Sequence, residues 1–600
     1  MIVKMKKVYL VVLDSMREKA LTRLRELGVA HIEREYKSNE TVNSLAEKRS
    51  LFDRSILALP QLKKPVENAE YTNLDEAEKL AERISGIQER VRAIEDEKER
   101  ARKDIQSLAP WGDFNPSDVN ELEGKGIAVK LFELTKEQFE NLPSDLKYIT
   151  INRVKNKTFI AAVSLPDESL PEVAAEELAI PQGGIETLKK EIENKDAEKV
   201  KLEKELEKLA EKKILLVKGL KELDTILEFE SINADMNVEE RFAYISGYVP
   251  ADRVEKLTNA AADMHWALLI RDPEESEDPP TLVRNPKWVS LIQPLFKFLD
   301  TTPGYRELDI SMFFLTFFTV FVAMIVGDAG YGIIFLGMTL LMRIKMKKAP
   351  SQVFFLLAVL SGATIIWGVI TGTWFGAKTL AELPVLKALI IPEIASFGYG
   401  DTTAMIKQLS FLIGMAHLTL GILISFIRKM PSLAAIAEIG WLLILYAMYF
   451  VARFFVLGVQ LNPVALPLFL AGFGVVLVFS EQNGKNIIKG IFLGLAWSPM
   501  KFLNSVNMFA DLVSYIRLFA VGLATVAVAQ SFNQMASGFE GIVGMILAAV
   551  VLFLAHTFNM GMSLLSVIVH GVRLNMLEFG GKVGMEWSGH AYNPFKKNEF

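Results

Sequence analysis

The pattern of apolar and polar positions changes character once along the chain. Up to about residue 285, apolar residues recur in alternation or at intervals of three and four, always among many charges. Lys7 to Leu13 alternates and is β-branched, Ser15 to Leu27 has helical spacing closed by Gly28, and Ala30 to Ile32 resumes the extended pattern, which predicts a βαβ unit. A comparable unit is predicted over Phe242 to Ile270, and a mixed patch spans Gly126 to Leu165. Long polar helices are predicted at about 73–108 and 185–229. The second carries Leu188, Ile192, Leu202, Leu206, Leu209, Leu216, Leu220 and Leu223 among Glu and Lys, an apolar seam with imperfect heptads. The expectation for residues 1–285 is therefore an α+β domain with two small α/β lobes joined by a long antiparallel coiled-coil hairpin. One lobe comes from about 1–40 with 240–271 and the other from about 126–170. A 40-residue helix reaches about 60 Å, so the shape predicted is a strut.

Beyond the Pro-rich stretch Asp278 to Trp288, with a linker at 286–308, the pattern is a membrane domain over 309–600. Eight apolar segments are long enough to cross a hydrocarbon layer of about 30 Å: about 309–327, 329–344, 352–376, 405–427, 433–457, 463–480, 500–537 and 541–580. The composition agrees, because residues 301–600 hold only 19 basic and 13 acidic side chains against 105 charged ones before them. With the N-terminal half in the cytoplasm, the connections and tail on that side hold Arg343, Lys345, Lys347, Lys348, Arg428, Lys429, Lys485, Lys489, Lys501, Lys582, Lys596 and Lys597. The opposite side holds Lys378, Lys387 and Lys407, a bias that predicts both termini in the cytoplasm. The apolar run VYLVVL near the start is shorter than the core of a secretory signal, which agrees with that orientation.

Each of the last two segments is about 40 residues long, twice the hydrocarbon thickness, so steep tilt or extension beyond the bilayer is expected. Each also carries an arginine within apolar sequence, Arg517 and Arg573. An arginine at that depth costs about 2.5–3.5 kcal/mol on insertion scales and cannot shed its proton. On the last segment His556, Asn559, Ser563, Ser566, His570 and Arg573 follow at steps of three and four, which places them in one arc of about 100°. On the preceding one Asn504, Asn507, Asp511, Ser514 and Arg517 share a broad side, and Ala520, Ala524 and Ala527 flank the arginine with small side chains. Such stripes line aqueous paths for protons or ions, or serve as hydrogen-bonding glue between helices. Asp328 in VGDAGYG is expected to cap a helix, Glu438 and Arg453 to sit near opposite ends of the fifth segment, and His417 to be packed and hydrogen-bonded.

Other chemistries are excluded. The chain has no cysteine for thiol catalysis or thiolate metal sites, its six histidines form no metal-ligand cluster, and no Walker-type phosphate loop occurs. No catalytic role and no cofactor are therefore expected. The net charge of −5 argues against nucleic acid. An independent secondary transporter with a regulatory arm is the competing class, but matching inverted halves are not evident.

Six blocks in order carry a resemblance: SGYVP (246–250), PPTLVRNP (279–286), GDAGYG (327–332), TGTWFG (371–376), SYIRLFAVGLA (514–524) and HGVRLNMLEF (570–579). Over essentially its whole length the sequence resembles the a-type subunit, subunit I, of V-type and archaeal-type rotary ATPases in its compact prokaryotic form. The resemblance implies a stator subunit whose soluble arm receives peripheral stalks beneath the catalytic head and central stalk. It also implies a membrane half that forms two ion half-channels against a rotor ring of c-type (proteolipid) subunits, in a prokaryotic cell membrane. Arg517 matches the family's required arginine, which meets the mid-membrane carboxylate of each ring subunit. Arg573 and Glu578 match the eighth-helix motif. Many relatives carry a carboxylate upstream of the arginine, where this chain has Asn504 and Asn507 and only Asp511 as an acid. Asp511 or Glu578 is then the candidate for the cytoplasmic half-channel, and H⁺ is taken as the ion by default over Na⁺.

Overall fold

The structure, a computed structural model, describes the chain except for residues 61–70, 72, 167–170, 172, 174, 179, 181–182, 348, 397–401, 483–485 and 598–600. Lys348, Lys485 and the end of the predicted 126–170 lobe thus lie outside the described residues. The chain divides into two compact units, one of Met1–Leu10, Leu27–Ile32 and Ser246–Phe595, the other of Val11–Glu26, Glu33–Ile245 and Lys596–Phe600.

In the second unit, helices Glu40–Ala58 and Leu74–Leu108 start where Asn39 and Asn73 accept hydrogen bonds from the amides of Val42 and Glu76. Leu74–Leu108 buries Ala77, Leu80, Ala81, Ile84 and Ile87 along one stripe, the spacing that the apolar pattern dictates. It runs antiparallel to Ile185–Ala210, with Arg83 paired to Glu205 at 2.5 Å, Arg90 to Glu198 at 2.8 Å and Glu95 to Lys199 at 2.6 Å. Solvent screens such exposed pairs and leaves them little net stability, so the apolar seam carries the association. The helix predicted over 185–229 is in fact two, Ile185–Ala210 and Lys213–Asp235. Tight bonds from the amides of Glu211 and Lys212 to the carbonyls of Lys208 and Leu209 end the first. The second then approaches closely enough that a Cβ on Gly219 would lie 2.7 Å from the Ala77 Cβ and 2.8 Å from the Phe52 ring. Glu40–Ala58, absent from the predicted elements, supplies Phe52 to this core. A four-stranded sheet in the order Tyr148–Val154, Lys157–Ser164, Ala128–Thr135, Glu176–Glu177 forms the lobe. Alternation puts Phe132, Leu134 and Ile160 in one core and Leu131, Phe159 and Trp111 in another.

In the first unit, Met5–Leu13 and Ala267–Arg271 adjoin in a sheet, and His31–Ile32 pairs antiparallel with Phe242–Pro250. Beside the sheet, Glu277 accepts from Arg271 Nη2 at 2.5 Å, Lys7 Nζ at 2.7 Å and the Glu274 amide at 2.9 Å. The Arg271 hydrogen bonds hold the Glu277 carboxyl down, to about 2, against the opposing effect of burial, with Lys7 adding to the lowering. A carboxyl held below its ordinary value of 4.5 adds stability above that pH and loses it as pH falls towards about 2. The parent is therefore expected to exceed Glu277→Gln in unfolding midpoint at neutral pH by a margin that closes over that window. A margin independent of pH would refute this. The tail returns to the same sheet, where the Tyr592 hydroxyl donates to Val29 O at 2.6 Å and the Phe595 amide to Ala30 O at 2.8 Å.

The remainder of this unit is helical, since in hydrocarbon each backbone polar group must be satisfied within its own segment. Five helices are long and apolar enough to cross a membrane among the described residues: Ser351–Thr371, Thr403–Lys429, Leu433–Leu457, Ser498–Ala536 and Gly541–Val583. The first two predicted crossings form one pair, Ser311–Val326 and Ala329–Lys345, bent by 120° at Gly327 and Asp328. The segment predicted at 463–480 is the 15-residue helix Ala465–Phe479, followed by a separate short helix, Ile487–Ala496. Large apolar side chains such as Ile542, Val543, Phe553 and Phe558 stand exposed on the outside, as a lipid-facing surface requires and water does not permit.

Asp328 caps Ala329–Lys345, its Oδ1 accepting from the amides of Gly330 at 2.8 Å and Tyr331 at 3.2 Å. Its Oδ2 accepts from the Gly376 amide at 3.1 Å, and the Ala329 amide donates to Thr373 O at 2.9 Å. The GDAGYG and TGTWFG blocks are thus one clamp.

Candidate functional site

Helices Ser498–Ser514 and Ile516–Ala536 meet at Tyr515, which is fully buried. Two residues on, Arg517 turns back over this junction. Its Nε donates to Ser514 O at 2.9 Å, and its Nη2 reaches both Ser514 Oγ and, at 2.6 Å, Glu578 Oε1. Ser514 Oγ in turn donates to Glu578 Oε1 at 2.7 Å. The Glu578 side chain is 5% exposed and that of Arg517 21%. Glu578 Oε2 is buried without a partner. A buried pair of this kind costs desolvation that its attraction repays only with added hydrogen bonds, which Ser514 supplies.

The last helix reaches this point in an altered form. Gly541–Ser566 is α-helical, but Val567–Gly571 and Leu574–Phe579 are π-helical turns. At 3.6 residues per turn, side chains five positions apart diverge by about 140°. A π turn stacks them. Arg573 and Glu578 accordingly approach, with Arg573 Nε 3.8 Å from Glu578 Oε1, while the Arg573 side chain stays 57% exposed.

The predicted stripe from His556 to Arg573 is therefore not continuous. Its upper part belongs to another network, in which Tyr331 hydroxyl meets His556 Nδ1 at 2.7 Å and accepts from Asn559 Nδ2 at 3.0 Å. Asn559 also donates to Thr525 O at 2.9 Å, and His556 Nε2 meets Asn533 Oδ1 at 3.3 Å. Ser563 donates to Asn559 O within its own helix, which is structural. Ser566 and His570 are half-buried, and His570 Nδ1 lacks a partner.

Asp511 pairs with Lys582 at 2.7 Å. With Glu578, Glu438, Asn504 and Asn507 they line a cleft of about 410 Å³. Polar groups of both signs around such a volume make it a place for water. Asn504 and Asn507 are exposed. Glu438, at the first turn of Ile436–Leu457, pairs with Lys429. Tyr331, Asn533 and Lys582 were absent from the candidate residues. Tyr331 lies in the GDAGYG block and Lys582 one turn beyond Glu578, so position alone marked both, whereas nothing local marked Asn533.

Helices with apolar outer faces around a buried arginine–glutamate pair define a multi-pass membrane protein. No protein-family model matches the chain. It is 34% identical to V-type ATP synthase subunit I of Borreliella burgdorferi and 33% identical to V-type ATP synthase subunit I 1 of Treponema pallidum, each alignment covering 100% of both chains. It is 24% identical to A-type ATP synthase subunit I of Methanocaldococcus jannaschii over 99% of both. The chain belongs to the subunit I family of V-type and A-type ATP synthases, and so to the membrane sector of that complex.

Proposed function

We propose that this chain is the stator of a rotary ATPase. It forms two ion half-channels against the rotor ring, receives peripheral stalks on its arm beneath the central stalk and catalytic head, and couples proton movement to ATP hydrolysis or synthesis without binding nucleotide. On this reading the bent pair counts as two crossings and Ala465–Phe479, about 22 Å long, as a short one. With the five long helices that makes eight, with both termini cytoplasmic.

The observation that carries the proposal is one helix face. Arg517, Ala520, Ala524, Ala527 and Ser531 follow at steps of three and four, and the last four are exposed. A partner helix can approach that small-residue face closely enough to bring its own carboxylate to the guanidinium. The fixed cation favours the ionised form of that carboxylate, which prompts proton loss into one half-channel. Arginine suits this task because it holds its charge and blocks direct leakage between the channels. The Asp511–Lys582–Glu578 cleft supplies one path and the Tyr331–His556–Asn559 network the other. Glu578 releases Arg517 as a ring carboxylate arrives and takes it back as the carboxylate leaves.

The absence of native cysteine makes the test direct. In the assembled complex, Ala524→Cys is expected to cross-link to a cysteine on the ring's outer helix, while Ala529→Cys, on the buried side, is not. An assembled complex in which no residue of the Ala520–Ala527 face cross-links would exclude the ring as the partner of that face.

A further inference from the structure

The helix Thr403–Lys429 contributes no group to the Arg517–Glu578 cluster, yet one of its side chains touches the residues beside both. His417 is completely buried. Its Nδ1 is 2.9 Å from the Tyr515 hydroxyl, and Tyr515 directly follows Ser514. Its ring stacks on Phe579, with centroids 4.2 Å apart and planes 11° apart, and Phe579 directly follows Glu578. Phe317 covers the other ring face at 3.9 Å. One turn to either side are glycines. A Cβ on Gly414 would stand 2.5 Å from the Tyr515 ring, and one on Gly421 would stand 3.0 Å from the Lys582 Cβ and 3.3 Å from Phe579. The face Gly414–His417–Gly421 therefore seats both elements that carry the ion pair.

We propose that His417 is a positioning residue: it sets the distance between Arg517 and Glu578 by tying Tyr515, at the helix junction, to Phe579, at the end of the π turn. Arg517 folds back only because the chain leaves the regular helix at Tyr515, and Glu578 faces it only because the last helix is widened up to Phe579. Neither departure has a local cause such as proline. The imidazole, with a flat face for Phe579 and its Nδ1 at hydrogen-bond distance from the Tyr515 hydroxyl, satisfies both at once. A phenylalanine keeps the face and loses the hydrogen bond. An asparagine keeps a hydrogen-bonding group near the Nδ1 position and loses the face. This inference rests on the assignment of Arg517 as the residue that meets the rotor.

The test uses whole complexes in vesicles and compares ATP-driven ion uptake with ATP hydrolysis. Tyr515→Phe, which removes one oxygen, is expected to lower uptake per ATP hydrolysed about tenfold while the complex assembles, because a buried polar atom is left without its partner. His417→Phe is expected to match it, the double variant to be no worse than either alone, and His417→Asn to recover part of the loss that His417→Phe causes. A parent-level ratio in assembled Tyr515→Phe, additive losses in the double variant, or no recovery in His417→Asn would each overturn the proposal. If His417→Phe fails to assemble, Tyr515→Phe alone decides. Parent-level pumping in an assembled Arg517→Ala complex is a different failure, since it removes the role of Arg517 and with it the distance to be set.

Discussion

An assembled complex carrying Arg517→Ala is expected to show no ATP-driven ion uptake above background, a loss of at least about a hundredfold. Two effects combine. The approaching ring carboxylate loses the cation that favours its ionised form, so it passes the stator protonated and delivers nothing. Glu578, 5% exposed, also loses its main partner. A buried carboxylate stripped of its cation costs about 3–5 kcal/mol. Arg573, 3.8 Å away and 57% exposed, is too far and too wet to replace it. Arg517→Lys is expected to recover little, because one ammonium cannot span Ser514 O, Ser514 Oγ and Glu578 Oε1 as the guanidinium fork does. Repeating the uptake assay with and without Na⁺ identifies the ion: uptake by the parent that is independent of Na⁺ and collapses with a protonophore means H⁺. Unchanged uptake in assembled Arg517→Ala would return the polar stripes to a role as helix–helix glue.

The second large effect is expected at Gly368, in the helix before the TGTWFG block. A Cβ there would lie 2.1 Å from the Ala329 backbone nitrogen and 2.7 Å from its Cα. Nothing flexible stands in the way that could swing aside. Gly368→Val must push Ala329 off, and with it the amide that bonds Thr373 O and the neighbouring Asp328 carboxylate that holds Gly330, Tyr331 and Gly376. Overpacking alone costs about 1–3 kcal/mol. A buried carboxylate parted from its amides adds to that. The subunit recovered in assembled complex is expected to fall at least several-fold. Gly362→Val is the control, because the same helix offers open space around a Cβ at Gly362. Equal recovery of both variants would mean that the two motif loops do not depend on their clamp.

Much of this was legible along the chain. The division into a charged half and an apolar half, the positions of most helices, the cap at Asp328 and the suspicion attached to Arg517 all follow from spacing and cost. Each of these is local: a cap needs an oxygen three residues before an amide, and an amphipathic helix needs a stripe. Where the expectations departed from the structure, tertiary packing had overridden local pattern. The seam at 185–229 reads as unbroken because no residue near Glu211 and Lys212 announces the break there. The stripe from His556 to Arg573 reads as one face only while 3.6 residues per turn is assumed.

By itself, the sequence determined the period of each segment, which segments are apolar enough for lipid, and that a permanent cation lies within each of the last two. Only the tertiary structure decided what each face meets. Arg517 finds Glu578 61 residues away, Asp328 reaches Gly376 48 residues on, and Tyr331 joins Asn559 across 228. The reason is physical. Periodicity records which side of an element is turned inward, but the free energy of a buried charge or amide depends on the groups opposite it, and those come from other helices brought together by packing.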